Sequence, residues 1–213
     1  MLLDRNRAKV WQKWVFAFMA LIMVGFIVMI PLSGQIGCGG ATTASEAIAD
    51  DIAKYEAAVA ANPNDVSALR GLGDSYLASA AQLESGSDAQ RTEWFKAISY
   101  YEKAVAVLAE QKGADAKEER VDVLEQIVDT YLALGEYQDA ADVYVRITAL
   151  TPKDAQAYFN WATMADRAGD TSTALLAFKK FLELDPKSPY AADVETWIEE
   201  NTPKASASPS AEN

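Results

Sequence analysis

Two patterns of apolar and polar positions divide the chain. From Val15 to Ile30 there is no polar or charged side chain. Past Thr43 apolar residues return every three or four positions with charge between them, the period of amphipathic helices. The first pattern predicts a helix buried on all sides, the second a series of helices that hide one face on each other.

Trp14 to Leu32 is a 19-residue stretch. At about 1.5 Å per residue a helix of that length reaches roughly 28 Å, enough to cross a bilayer core of about 30 Å. Such a helix satisfies its own backbone hydrogen bonds, as hydrocarbon requires. Trp11 and Trp14 suit the headgroup zone, and Pro31 with Gly34, Gly37, Gly39 and Gly40 ends the helix and opens a linker. Arg5, Arg7, Lys9 and Lys13 precede it, and no Lys or Arg follows before Lys54. That asymmetry places the N-terminus in the cytoplasm and the rest outside, so the chain is expected at the cytoplasmic (inner) membrane as a single-pass protein. The same segment admits two other readings. One is a signal peptide cleaved near Thr42-Thr43-Ala44. The other is lipidation at Cys38, although Gln35 stands where a lipoprotein box needs an aliphatic residue.

The second pattern repeats. Pro152 and Pro186 stand 34 residues apart, after RITALTP and KFLELDP. Before the first, Leu124, Ile127, Val128 and Tyr131 form one apolar stripe, Gly135 breaks the helix, and Tyr137, Ala140, Tyr144, Ile147 and Leu150 form another. The same slots next hold Tyr158, Trp161, Ala162 and Ala165, then Gly169, then Thr171, Ala174, Phe178, Phe181 and Leu184. Spacings of three and four put each set on one helix face. Upstream, Pro63 closes a helix with Tyr55 and Ala58, and Leu69, Leu72, Gly73 and Tyr76 open another. Its partner, with Ala97, Tyr101 and Ala104, follows a connection 12 residues longer than in the later repeats. The inserted stretch is expected to extend both helices up to Ser85-Gly86-Ser87, with Asp88 as the next cap.

This pattern resembles the tetratricopeptide repeat (TPR) family, a resemblance carried by the 34-residue period, the small residues at 140 and 174, and the closing prolines. It implies an all-α fold: a TPR-like α-hairpin solenoid, a right-handed superhelix, preceded by a single transmembrane helix. The segments read as a basic start (1–13), a transmembrane signal anchor (14–33), a Gly/Thr-rich linker (34–44) and a TPR domain (45–200). Within that domain lie a half repeat (45–63), a repeat with an insertion (66–111), two regular repeats (121–152 and 155–186) and a capping helix (188–200) with Pro189 in its first turn. Residues 201–213 are small, polar and proline-containing, and are expected disordered.

Composition narrows the function. The whole chain has 19 basic and 31 acidic residues and no histidine. Removing the four basic residues and the one acid before the apolar stretch leaves 15 basic against 30 acidic, a net charge of −15. Such a surface repels phosphate backbones, so no nucleic-acid partner is expected. Without histidine the usual general base at neutral pH is missing, and one cysteine builds no thiolate metal site. Gly71-Leu72-Gly73 lies within a helix and not after a strand, so it reads as a site of close helix packing and not as a nucleotide loop. No enzyme activity, metal or cofactor is expected.

The resemblance implies a binding role through the first helix of each pair, which in TPR proteins lines the concave face. The groove candidates it gives are Arg70, Asp74 and Leu77; Glu125, Asp129 and Leu132; and Phe159, Thr163 and Asp166. The set at Arg70, Asp74, Asp122 and Gln126 is a poor match for TPR grooves that hold a C-terminal carboxylate, since two acids oppose that task. Acid mixed with apolar surface instead favours a basic or amphipathic segment of a protein or peptide partner. The expected function is therefore a membrane-tethered scaffold or assembly adaptor. The alternatives are a self-associating structural subunit of a membrane complex, or a cleaved or lipidated exported TPR protein. For the groove acids, an ordinary solvated helix face is the competing reading.

Overall fold

A computed structural model of the chain describes residues 43–202. The expected membrane helix (14–33), the linker at Cys38, and the tail after Thr202 lie outside the described residues. By its contacts the chain divides into Met1–Ala44 and Ser45–Asn213, and the architecture below belongs to the second unit.

Eight helices make up the described residues, with no strand among them: α1 (Ala44–Ala61), α2 (Val66–Ala80), α3 (Asp88–Glu110), α4 (Ala114–Leu134), α5 (Tyr137–Leu150), α6 (Ala155–Arg167), α7 (Thr171–Leu184) and α8 (Ala191–Asn201). From α2 onward each helix packs on the next, so the order of stacking is the order of the chain. That nearest-neighbour arrangement defines a helical repeat solenoid.

The turns are set by a few residues. Pro63, Pro152 and Pro186 each open a short turn closed by a backbone bond three residues wide: Asp65 N to Asn62 O (3.1 Å), Asp154 N to Thr151 O (3.0 Å) and Ser188 N to Asp185 O (3.2 Å). In the first two the turn residue then caps the next helix. Asp65 accepts from Ala68 N at 3.0 Å, and Asp154 from Gln156 N at 2.9 Å. Each carboxylate thereby satisfies amide groups that the helix itself leaves unpaired. Between paired helices, Gly135 and Gly169 take left-handed φ values of +76° and +81°, which a side chain would resist.

The long connection departs from expectation. α2 ends at Ala80, so the insertion lengthens only α3, and the cap is Ser87, whose hydroxyl accepts from Gln90 N at 3.2 Å. Buried Gln90 then ties the turn together, donating to Ala80 O at 3.1 Å and accepting from Gly86 N at 2.9 Å. α4 likewise begins at Ala114, so most of the spacer before Val121 is helix. At the other end Pro189 precedes α8 and does not sit in its first turn.

Small residues bring the helices together and large ones fill the seams. Ala97, Tyr101, Ala104, Leu124, Ile127, Ala140, Ala162, Ala165 and Ala174 are fully buried. A Cβ on Gly71 would lie 2.6 Å from the Tyr55 ring, and one on Gly73 would collide with the Tyr101 ring. These two glycines therefore serve packing, which fits the sequence reading of that run. At the C-terminal end Phe178 meets Trp197 of α8 at 4.9 Å between ring centroids, and Val194 is buried beside them. α8 covers the last apolar face of the stack.

Candidate partner-binding face

The nine groove candidates sit on α2, α4 and α6, the first helices of their pairs. Within each helix their spacing of four and three residues gives one face. The structure treats the three sets differently.

On α2 the polar pair is engaged within the protein. Arg70 reaches Glu119 of α4 at 3.3 Å, and the Tyr101 hydroxyl donates to the Asp74 carboxylate at 2.6 Å. Burial, followed by the bond to Asp74 and its charge, pushes the Tyr101 phenol up from the ordinary tyrosine value. Leu77 is half-buried against the core.

On α4 the acids gather. Glu125 and Asp129 are exposed, while Leu132 is half-buried. Partial burial raises the Glu125 carboxyl above its ordinary value, and the charges of Asp122, Asp129 and Asp154 raise it further. Asp154 comes from the start of α6, so the acidic patch bridges two successive first helices. Tyr144 of α5 lies against the same patch. Burial raises its phenol, a hydrogen bond with Asn160 acts in the opposite sense, and Glu125 and Asp129 add to the rise. Asp122 and Asp154 thus belong to the face, and the nine candidates did not include them. Their signals were present: Asp122 stands three residues before Glu125, and Asp154 follows a closing proline in the position of a helix cap.

On α6 Phe159 does not lie open. Its ring is 5.2 Å from Phe181, 5.9 Å from Phe178 and 5.1 Å from Tyr190, inside an aromatic cluster that joins α6, α7 and the approach to α8. The repeat slot is solvent-facing by pattern, but here Tyr190 folds over it. The Thr163 hydroxyl donates back to Phe159 O at 2.9 Å, and Asp166 is exposed.

Chemically this face offers closely spaced carboxylates, one of them with raised proton affinity, next to half-buried leucines and a tyrosine. It is suited to receive cationic groups on a partly apolar segment. Among the described residues no group of three or more carboxylates or thiols is placed to hold a metal ion.

The sequence of this region matches the tetratricopeptide repeat family over residues 125–189. Residues 125–189 carry tetratricopeptide repeats. The TPR match covers α4 from Glu125 through α7, the part of the stack with the regular period. No curated protein matches the chain. Among solved structures it resembles MamA, at 19% identity over 70% of this chain and 84% of that one, with a TM-score of 0.44. It also resembles TTC0263, a thermophilic TPR protein of Thermus thermophilus, at 20% identity over 70% of each chain, with a TM-score of 0.43. A third is PcrH from Pseudomonas aeruginosa, at 16% identity over 61% of this chain and 90% of that one, with a TM-score of 0.36. Likenesses this distant do not bear on what the chain binds.

Proposed function

We propose that this TPR protein is a scaffold that holds a basic or amphipathic segment of a protein partner on the face of α4 and α6, while residues 14–33 tether it to the outer side of the cytoplasmic membrane. The observation that carries the reading is the crowding of Glu125 by Asp122, Asp129 and Asp154. Carboxylates that repel one another at a folded surface lose that repulsion when a cationic group docks among them. The tether would add to a weak groove by confining it beside its partners, which raises effective concentration without new contacts.

Recovery of partners from solubilised membranes, with the full chain as bait, tests this. The wild-type chain should retain a partner in a salt-sensitive way. Asp129→Lys should lose it, because that position is exposed and the change leaves the stack intact. Equal recovery by the two chains would remove the α4 face from the account.

A further inference from the structure

Phe159 stands 34 residues after Glu125, in the same slot of the next repeat, where Glu125 is exposed. An apolar ring in that slot needs cover, and three rings give it. Phe178 and Phe181 of α7 lie at 5.9 and 5.2 Å between ring centroids, and Tyr190, from the linker before α8, stacks at 5.1 Å with 26° between the ring planes.

The three are held unequally. Phe178 and Phe181 are buried, and Phe178 packs on Trp197 as well. Tyr190 is 51% exposed. Among the described residues its hydroxyl has no hydrogen bond, Phe159 is its one aromatic contact, and its side chain caps no helix amide. Rotation about the Tyr190 Cα–Cβ bond therefore breaks one stack and leaves α8 in place, because α8 is held by buried Ala191 and Val194 and by Trp197. It uncovers Phe159 on a floor that Phe178 and Phe181 keep rigid. The acids are linked to the same stretch of α6. Asn160, next to Phe159, hydrogen-bonds Tyr144, which feels the charges of Glu125 and Asp129.

On the premise of the α4–α6 docking face proposed above, we infer that Tyr190 is a displaceable plug of that face. A partner segment that carries a bulky apolar side chain among its lysines or arginines turns the Tyr190 ring out and seats that side chain on Phe159. Charge brings cationic segments to the face, and the plug selects among them. Only a segment with an apolar side chain to replace the Tyr190 ring recovers what opening costs.

Two blocked pentapeptides serve as probes of the solubilised full chain: one with four lysines around a central phenylalanine, the other with alanine at the centre. With fluorotyrosine in place of Tyr190, the phenylalanine peptide should move the fluorine resonance toward that of the free amino acid, and the alanine peptide should not. Tyr190→Ala should tighten the phenylalanine peptide by about two- to tenfold, the equivalent of one ring stack, and leave the alanine peptide unchanged. The fluorine signal comes from a chain with its native contacts, so it decides the matter even where Tyr190→Ala lowers the thermal midpoint. An unmoved resonance with both peptides bound, or equal effects of the two peptides, would overturn the plug and leave the acidic face standing. Absence of binding by both, or binding that Asp129→Lys does not weaken, would remove the docking face and the plug with it.

Discussion

Single residues decide how closely the helices approach. Alanine in place of a helical glycine ordinarily stabilises by up to about 1 kcal/mol. At Gly73 the sign reverses, because the added methyl meets the buried Tyr101 ring, which the hydroxyl bond to Asp74 holds in place. Gly73→Ala is expected to cost about 1–3 kcal/mol, the usual range for an overpacked core, read as a lower urea midpoint at an unchanged slope. Asp170 makes a different prediction. Its carboxylate accepts from Thr173 N at 3.1 Å and from the Ser172 hydroxyl at 2.6 Å, and these bonds hold it at about 2, below the ordinary 3.8. A depressed carboxyl stabilises the fold fully above its unfolded value and loses that contribution as pH falls through the folded one. Asp170→Ala should therefore lower the thermal midpoint at neutral pH. The gap from wild type should close as pH drops from near 4 to near 2. A gap independent of pH would mean that the cap acts by shape and not by charge.

At the scale of elements, the hairpins are braced by ion pairs between helices that are not neighbours in sequence. Arg146 of α5 grips Glu102 of α3 with two bonds of 2.6 and 2.9 Å, each side chain being 39% exposed. Water screens a pair that open, so a double-mutant cycle should return about 0.5–1 kcal/mol of coupling, shrinking in high salt. Much of this level was legible in the chain itself. The regular repeats followed from periodic apolar residues, because burial of a stripe is a property of spacing alone, and Ala140, Ala162, Ala174 and Phe178 are buried. The irregular parts were less legible. Whether an insertion lengthens one helix or two depends on which hydroxyl or carboxylate wins the cap. Ser87 wins here because Gln90, three residues on, is anchored by Ala80 O and Gly86 N. The surroundings of Phe159 were illegible for a similar reason. Its slot in the repeat gives its place on α6, but Tyr190, 31 positions later, covers it. Contacts made by segments outside the repeat leave no periodic trace.

For the molecule as a whole, sequential stacking separates two jobs. The small and aromatic residues that hold α2 to α8 together face neighbouring helices, so the outward positions are free to vary in charge without endangering the fold. The exposed acids of α4 occupy such outward positions. The central claim is that the acidic face of α4 and α6 receives a cationic partner. The most direct test places a photoreactive amino acid at Thr163, the α6 position 34 residues after Asp129, in the full chain in intact membranes, and identifies the segment it captures. The account predicts a protein segment rich in lysine or arginine, lost when Glu125 and Asp129 are both changed to lysine. Capture of an acidic segment, or the same capture by the doubly changed chain, would contradict it.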